Sequence, residues 1–339
     1  MSSEHLASAQ NLLKGNLAGA WDILSGAQGQ SDALGIARRF GGATAAYSLR
    51  DIGANGGAVV RVRRFSDSAE EDFSANQVSS GGLANFCKTP LTVGTAVNGT
   101  GSFGNYTFTA NGNTGFDADN SGGGTGSAGF PYTFKNGDVM IVTYTVTNFS
   151  STSSLSPTIR GVASTSSITS VASGGTTFTS NGTYTDTLTA TADGTHLMFA
   201  DGNTGSYTIS NFSVTSHKTD GFVEVFYDQS GNSRHAFQET ATNQPKIISN
   251  GVVIEINNRA AITFDGNDNF LEVDGTGSAV AYSFSPSGDF GMFIVSKQSV
   301  GNVADSRDAG GDGIFLQQSS STTTRFRYNA SANNIDVTA

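Results

Sequence analysis

The feature that most constrains this 339-residue chain is a hydrophobic period of two residues, which holds from Gly41 onward. Within residues 139–147, apolar side chains alternate with threonines, as in a strand with one buried face and one solvated face. Turns built from Gly, Asn and Asp interrupt the alternation every eight to twelve residues, on the order of the spacing seen in β-sandwiches. The pattern therefore predicts an all-β protein of the sandwich type.

Individual strands can be read from the same alternation. In Val60-Arg-Val-Arg63, the two valines are predicted to face inward, and Arg61 and Arg63 to face outward. The other candidate strands alternate or run apolar at strand length: residues 106–109, 139–149, 183–191, 196–200, 207–214, 222–227, 252–256, 261–264, 270–273, 291–295, 314–317 and 325–328. Between Tyr207 and Val214 the apolar phase slips from odd to even positions, which predicts a β-bulge at Ser210-Asn211.

The first forty residues differ, because they alone show sustained helical spacing. The stripe consists of Leu6, Leu13, Leu17, Trp21 and Leu24. Three glycines weaken this helix, so it needs a surface to lie on. Two interpretations stay open: a helix packed on its own body, or an arm (residues 1–40) for docking or oligomerisation.

Residues 90–216 form a compositionally distinct block. Lys135 and Arg160 are its only Lys or Arg residues, Glu is absent, and Thr, Ser, Gly and Asn dominate. A disordered Ser/Thr-rich stalk would share this composition, but it would lack the aromatic and β-branched residues at period two. We expect a separate folded β-sandwich with a long Gly-rich loop at residues 121–129.

Charge and cysteine content restrict the partners and the compartment. The formal net charge is −10, which disfavours nucleic acid as a partner because binding to phosphates needs clustered Lys and Arg. Cys87 is the only cysteine, so no disulfide can form within the chain. The start of the sequence lacks a basic segment leading into an apolar one, and no window is long and apolar enough to span a membrane. We expect a protein made in the cytosol, without a membrane span.

Five blocks carry a resemblance to a known family. They are Ala45-Ala-Tyr-Ser-Leu-Arg50, Val60-Arg-Val-Arg-Arg64 with Ser66-Asp-Ser-Ala-Glu70, Val225-Phe-Tyr-Asp-Gln-Ser-Gly-Asn232, Asn243-Gln-Pro-Lys246 and Ile262-Thr-Phe-Asp-Gly266. In this order they resemble the catalytic domain of fungal α-L-arabinofuranosidase B, a family whose fold is a concanavalin A-like, or laminin G-like, β-sandwich. Similar sequences are frequent in bacteriophage structural proteins.

The resemblance implies a nested architecture. Residues 41–89 and 217–339 would form one discontinuous concanavalin A-like sandwich. Residues 90–216 would be an inserted jelly roll similar to a carbohydrate-binding module, whose last strand commonly ends as Ile209-Ser-Asn-Phe-Ser-Val214 does. Such an insertion is tolerated where the two ends of an exposed loop lie close together.

Carboxylates for glycoside hydrolysis are present but not distinctive. The candidates are Glu224, Asp228, Asp265, Asp268, Glu272 and Asp274. Asp228 and Asp265 lie in sequences typical of tight turns, and Glu272 alternates outward from its neighbours. The shared blocks are scaffold motifs, and no position matches the family's nucleophile or acid. The resemblance therefore transfers the fold rather than the activity, and we assign no catalytic residue.

Two binding sites are candidates within the inserted block. Asp117-Ala-Asp-Asn-Ser-Gly places the oxygens of Asp117, Asp119 and Ser121 as at the start of a Ca²⁺ loop, although a solvated turn explains the same residues and the bidentate Glu of such loops is missing. Sugar rings stack on exposed aromatic side chains, which favours Tyr132, expected in a loop after Pro131. Tyr106 and Tyr184 are weaker candidates, since a tyrosine that alternates inward belongs to a core.

The sequence thus predicts a structural protein of a bacteriophage virion, a tail-fibre, head-fibre or decoration subunit, assembled in the host cytoplasm. Its lectin-like domains would bind host-surface glycans, and its partners would be other virion proteins and copies of itself, with a trimer favoured. The rows of outward threonines are either a solvated face or a contact with a neighbouring subunit. A glycoside hydrolase or depolymerase is one alternative, and a bacterial surface adhesin is another.

Overall fold

The computed structural model describes residues 43, 45–53, 56–120, 123–151, 157–201 and 205–273, together with the backbone of four strands between 301 and 338. The proposed helical arm, residues 1–40, lies outside the described residues. The predicted strand at 291–295 also lies outside them, as do Ser121 and Asp274.

The described chain is mostly β-strand, which confirms the all-β prediction. Its strands are β1 (Ala58–Arg64), β2 (Glu70–Ser74), β3 (Val97–Asn98), β4 (Thr107–Ala110), β5 (Phe116–Asp119), β6 (Gly126–Phe134), β7 (Val139–Ser151), β8 (Thr158–Val162), β9 (Ala172–Ser173), β10 (Gly182–Ala190), β11 (Gly194–Asp201), β12 (Gly205–Lys218), β13 (Gly221–Phe226), β14 (Ala236–Phe237), β15 (Lys246–Ser249), β16 (Val252–Val253), β17 (Glu255–Ile256), β18 (Arg259–Ala260), β19 (Glu272–Val273), β20 (Gly301–Asp305), β21 (Ile314–Ser320), β22 (Thr323–Tyr328) and β23 (Asn333–Thr338). Two short helices, α1 (Ala75–Ser79) and α2 (Gly82–Phe86), follow β2.

A sheet of seven strands, here called the flanking sheet, is built from both sides of residues 90–216. Its main path runs β16-β15-β13-β1-β2, with β14 and β19 attached beyond β13. All pairs are antiparallel, and β1 pairs with β13 from Val60↔Phe226 to Arg64↔Gly221. Its buried side forms the flanking core, made of Val59, Val60, Val62, Phe73, Val78, Leu83, Cys87, Val223, Ile247 and Ile248.

The inward placement of Val60 and Val62 is confirmed, since both are fully buried. Arg63 is nevertheless only 8% exposed, so facing outward does not place it in solvent. Its Nε donates to Oε1 of Gln244 at 2.7 Å, and its Nη2 donates to the carbonyl of Ala241 at 3.1 Å. Arg63 faces away from the flanking core as expected, but residues 241–244 cover it.

Helix α1 begins with a local capping interaction. Ser74 accepts a hydrogen bond from the backbone of Gln77, and the Gln77 side chain accepts one from the backbone N–H of Ser74. This capping box satisfies donors that a helix start otherwise leaves unpaired. Val78 in α1 and Leu83 in α2 then bury their side chains in the flanking core.

Residues 97–218 contain two further antiparallel sheets, here called the middle unit. One has six strands in the order β4-β5-β12-β7-β10-β9, and the other has four in the order β3-β6-β11-β8. Both sheets contribute to one apolar cluster, the middle core, in which Phe130 of β6 stacks on Phe212 of β12 at 4.0 Å between ring centroids. The alternation of β7 follows the prediction, because Met140, Val142, Tyr144 and Val146 are all fully buried.

The predicted bulge is confirmed. The register of β12 against β7 shifts between Ser210 and Ser213, and Asn211 has a φ of 52°. Asn tolerates this left-handed conformation better than most residues other than Gly. The shift returns Phe212 and Val214 to the middle core after Tyr207 and Ile209.

The middle unit and the flanking sheet meet at a buried junction. The backbone N–H of His217 donates to the carbonyl of Lys88 at 3.1 Å, and that of Thr219 donates to the carbonyl of Cys87 at 3.0 Å. The chain therefore leaves the flanking sheet and returns to it at adjacent points. The remaining strands form a pair, β17-β18, and a sheet in the order β20-β21-β22-β23.

Candidate functional site

A cleft of about 410 Å³ lies on the polar face of the flanking sheet. Strand β1 contributes Arg61, β13 contributes Glu224, and β14 contributes Phe237. Tyr227 and His235, at the two ends of the turn between β13 and β14, also line the cleft. The alternation of β1 produces this face, since it sends the valines into the flanking core and Arg61 to the opposite side.

Arg61 is held in place by a carboxylate on the neighbouring strand. Its Nε lies 2.7 Å from Oδ1 of Asp72, and its Nη2 lies 3.2 Å from Oδ2, so the pair is bidentate. The Tyr227 hydroxyl also donates to Oδ1 of Asp72, at 2.8 Å. The hydrogen bond from Arg61 lowers the pKa of Asp72, while burial raises the pKa of Tyr227 to about 12. These contacts fix the Tyr227 ring on one wall.

Glu224 is the unusual group of the cleft. Burial raises the pKa of its carboxyl, and so does the nearby negative charge of Glu70. The Oε2 atom of Glu224 is buried, and no N–H or O–H group of the described residues donates to it. Glu224 is the extra residue at a β-bulge in β13. The register against β1 shifts there from Arg61↔Val225 to Val62↔Val223, so Glu224 has no partner residue in β1.

An aromatic pair forms the wall beside these carboxyls. The rings of Tyr227 and His235 meet edge to face at 5.0 Å between centroids. The backbone N–H of Asp228 donates to Nδ1 of His235 at 3.1 Å, which assigns the ring proton to Nε2. His235 therefore contributes an N–H donor as well as an aromatic face.

Asp228 organises the turn that positions His235. Its Oδ1 accepts from the backbone N–H groups of Ala46, at 2.8 Å, and Ser230, at 2.9 Å. Its Oδ2 accepts from the Ser230 hydroxyl at 2.7 Å and from the Arg234 N–H at 3.1 Å. Burial opposes ionisation of Asp228, but these hydrogen bonds outweigh it and lower the pKa. The predicted turn role of Asp228 is confirmed.

The arrangement is suited to binding. Aromatic faces, an arginine, a histidine N–H and carboxyl oxygens surround one open cleft, which is the mixture that polar ring-shaped ligands require. Hydrolysis needs two carboxyls about 5 to 9.5 Å apart on either side of the scissile bond. Glu224 and Glu239 are the two carboxyl groups that line the cleft.

The tyrosines proposed from sequence lie elsewhere. Tyr132 is in β6, so the loop predicted for it is wrong, and it is only 2% exposed. Pro131 is tolerated in this strand because the register between β6 and β11 shifts beside it. Tyr106 is 5% exposed and contacts Tyr207 in the middle core. Neither ring has a free face on which a sugar could stack.

Tyr184 is half-buried in β10. Its ring stacks on Tyr144 at 5.5 Å with an interplanar angle of 13°, and its hydroxyl donates to the carbonyl of Ser180 at 2.8 Å. These contacts make Tyr184 part of the edge of the middle core, as the alternative interpretation of inward-alternating tyrosines expected.

The proposed Ca²⁺ ligands do not form a loop. Asp117 and Asp119 both lie in β5, where they extend from an exposed strand face, and a turn follows the strand, in which the N–H of Gly123 donates to the carbonyl of Asn120 at 3.1 Å. Oδ1 of Asp117 accepts from the Thr208 hydroxyl at 2.6 Å, which lowers its pKa. Within the described ranges, no group of three or more His, Cys, Asp or Glu side chains could hold a metal ion.

The remaining candidates have structural surroundings. Asp265 accepts from the backbone N–H of Asn267 at 3.0 Å, which confirms the predicted turn, and Asp268 and Glu272 are exposed. Cys87 is fully buried, and burial raises its pKa to about 12, which makes it unreactive at neutral pH.

Sequence reasoning missed most of the cleft. Glu224 was considered as a hydrolytic carboxyl, and Arg61 was predicted only to face outward. Tyr227 and His235 carried no signal beyond their position beside a turn. Their proximity depends on the pairing of β1 with β13, which joins segments more than 150 residues apart.

Comparisons of this chain with protein-family models, with curated proteins and with solved structures find no match. Among the helices that the structure describes, none is long and apolar enough to cross a membrane.

Proposed function

We propose that this chain is a structural protein of a bacteriophage virion, a tail-fibre, head-fibre or decoration subunit, that binds a surface glycan through the cleft around Glu224. The proposed fold is a concanavalin A-like sandwich, residues 41–89 and 217–339, interrupted by a jelly roll, residues 90–216. The proposed partners are other virion proteins and further copies of the chain, with a trimer favoured.

The nested architecture is supported by strand pairing across the middle unit. Strands β1 and β13 pair, and the flanking core takes side chains from both sides of residues 90–216. The middle core belongs to two sheets of its own. A polar, threonine-faced β-unit inserted into a second β-body suits a surface-exposed virion subunit.

Glycan binding is carried by the composition of the cleft. The rings of Tyr227 and His235 can stack on the apolar face of a sugar, while Arg61, the Nε2–H of His235 and the carboxyl of Glu224 can bind hydroxyls. The site proposed from sequence in the middle unit is replaced by this one, because its best tyrosines are buried.

A glycan array with the purified full chain tests this proposal. We expect binding to a defined set of bacterial oligosaccharides, and Tyr227→Ala should weaken it by at least about tenfold because an aromatic platform is lost. Thr185→Ala, on the exposed face of β10, is the matched control and should bind as wild type. An array without binders, or Tyr227→Ala binding as wild type, would overturn the glycan assignment.

The virion assignment needs its own experiment. Antibodies against the chain should label purified phage particles in negative-stain electron microscopy, and the protein in solution should have a mass of two or more chains. Unlabelled particles from a strain that expresses the protein would argue against this location.

A hydrolase is the second candidate, because a carboxyl with a raised pKa is what a general acid needs. Release of reducing ends from any glycan bound on the array, abolished by Glu224→Gln, would favour it over binding alone.

A further inference from the structure

We infer that Asp72 of β2 is the positioning residue of the proposed glycan site, because its carboxylate holds both the Tyr227 hydroxyl and the Arg61 guanidinium at the wall of the cleft. The inference rests on the proposed glycan binding. It adds a residue that is not among those lining the cleft and that acts on a bound sugar only through its two partners.

The first argument is the place of Asp72 in the flanking sheet. Strand β1 lies between β2 and β13, and Arg61 of β1 is directly opposite Asp72 of β2. Tyr227 follows the last residue of β13, and its backbone N–H donates to the carbonyl of Val59 at 2.9 Å. To reach Asp72, the Tyr227 side chain therefore crosses β1 on the face where Arg61 lies.

The second argument is the hydrogen-bond geometry of the carboxylate. Oδ1 of Asp72 accepts from Nε of Arg61 at 2.7 Å and from the Tyr227 hydroxyl at 2.8 Å, while Oδ2 accepts from Nη2 of Arg61 at 3.2 Å. One oxygen thus joins the two cleft groups, and the bidentate pair with Arg61 sets the orientation of the carboxylate. The hydrogen bond from Arg61 contributes most to the lowered pKa of Asp72, so the group is ionised at neutral pH and can only accept.

Solvent exposure determines what these contacts can do. The Arg61 and Asp72 side chains are 38% and 43% exposed, and exposed ion pairs add little to stability. An exposed pair can still fix a geometry when it is bidentate and belongs to a network, and Tyr227 is the third member here. Loss of the Asp72 carboxylate should therefore leave the fold intact and change the cleft.

The third argument is the effect on the tyrosine. Its hydroxyl donates its proton to Asp72, so toward a ligand the Tyr227 oxygen can only accept. The bond to Asp72 and the edge-to-face contact with His235, at 5.0 Å between centroids, hold the ring at two points. A side chain that is already held loses less conformational freedom when a ligand binds, so affinity is higher. Asp72 therefore supports the stacking of a sugar without touching it.

Affinity measurements on the full chain test the positioning role. The probe is the oligosaccharide that the wild type binds most tightly on the array. Asp72→Asn keeps the size of the side chain and removes its charge, and we expect it to weaken binding by about three- to tenfold while lowering the melting temperature by less than about 2 °C. Asp72→Glu restores a carboxylate and should bind within about twofold of the wild type. Glu71→Gln removes the neighbouring charge of β2 and should bind as wild type.

Tyr227→Phe tests whether Asp72 acts through the tyrosine. This variant keeps the ring and removes the hydroxyl, so it should bind about as weakly as Asp72→Asn. The double variant should bind within about twofold of the weaker single variant, because both substitutions break the same hydrogen bond.

NMR with tyrosine isotope-labelled at Cζ gives a readout that needs no ligand. Loss of one signal in Tyr227→Phe identifies the Tyr227 resonance. Asp72→Asn should move this resonance toward the position of a free tyrosine, and Glu71→Gln should leave it in place.

The outcomes separate this inference from the glycan proposal. Wild-type affinity in Asp72→Asn, with binding still lost in Tyr227→Ala, would overturn the positioning role and leave glycan binding standing. An unmoved Tyr227 resonance in Asp72→Asn would overturn it too, whatever the array shows. Equal losses of affinity in Asp72→Asn and Glu71→Gln would assign the effect to the charge of β2 in general, and the inference would fail. An array without binders would end both proposals together.

Discussion

At the scale of single residues, the raised pKa of Glu224 leads to a prediction about stability. The folded pKa of Glu224 lies above its ordinary value, so folding favours the protonated form. Its contribution to the free energy of unfolding is therefore most favourable at low pH and is lost as pH rises through the folded pKa. Glu224→Gln removes the ionisation and should raise the melting temperature by roughly 2 °C at pH 7.5, with little difference at pH 4.

Calorimetric scans at the two pH values measure this effect, with Glu255→Gln as the control for loss of a surface charge. A lower melting temperature for Glu224→Gln at pH 7.5 would mean that the carboxylate stabilises the fold, and the interpretation of Glu70 and Glu224 as mutually repulsive would be wrong.

Asp228 should change the pH dependence of stability in the opposite direction. Its lowered folded pKa means that its stabilising contribution is present above the unfolded value of about 3.9 and disappears as pH falls through the folded pKa. Asp228→Asn should cost about 2 kcal/mol at neutral pH, since buried donors lose a charged acceptor, and the cost should shrink below about pH 4.

Asp265→Asn is the matched control for that variant. Asp265 also receives backbone hydrogen bonds in a turn, but it is exposed and holds no distant segment. Urea denaturation at pH 7 and pH 3.5 distinguishes the two. If Asp265→Asn is as unstable as Asp228→Asn, the hydrogen bond from Ala46 to Asp228 adds no stability beyond that of the local turn.

Local patterns predicted these two turns but not the cleft. Asp228 and Asp265 accept hydrogen bonds from residues two positions further along the chain, so the sequence contains the information for these turns, although not for the bond from Ala46 to Asp228. The burial of Arg63 depends on Gln244, which is 181 positions away, and no local pattern encodes that contact.

At the scale of elements, strand alternation was informative where a strand has one buried face. Strand β7 was predicted at 139–149 and lies at Val139–Ser151. Tyr132 was misplaced because Pro131 suggested a loop, whereas the register shift with β11 makes the missing N–H harmless. The order of strands within each sheet was not predictable, since pairing is decided by packing of whole faces.

The bulge in β12 provides an element-scale prediction. Asn211 has a φ of 52°, where a β-branched side chain is strained. Asn211→Val should therefore destabilise the protein by about 1–2 kcal/mol, while Asn211→Gly should be close to neutral. Chemical denaturation measures both, and equal stabilities of the two variants would show that the backbone conformation at this bulge is not the constraint.

At the scale of the whole molecule, a buried chain of hydrogen bonds links the middle unit to its entry and exit. The Tyr132 hydroxyl accepts from the N–H of Leu91 at 3.1 Å and lies 2.9 Å from Nδ1 of His217, whose Nε2 lies 2.7 Å from Oδ2 of Asp138. Every proton finds an acceptor if Tyr132 donates to Nδ1 and Nε2–H donates to Asp138. Gly221 belongs to the same junction, because a Cβ there would lie 2.9 Å from Sγ of Cys87.

The two cores should respond separately to mutation, because the middle core and the flanking core share no residue. Phe199→Ala in the middle core and Ile248→Ala in the flanking core each create a cavity costing about 2–5 kcal/mol. We expect two calorimetric transitions, each lowered by only one of these variants. Thr185→Ala, on the exposed face of β10, should lower neither. The hydrogen bonds of the junction are what would couple the two transitions. Tyr132→Phe leaves the Leu91 N–H and Nδ1 of His217 without their partner, so it should move the two melting temperatures further apart. A single transition lowered equally by Phe199→Ala and Ile248→Ala would mean that the two bodies fold as one unit, and the proposal of an inserted, independently packed β-unit would fail.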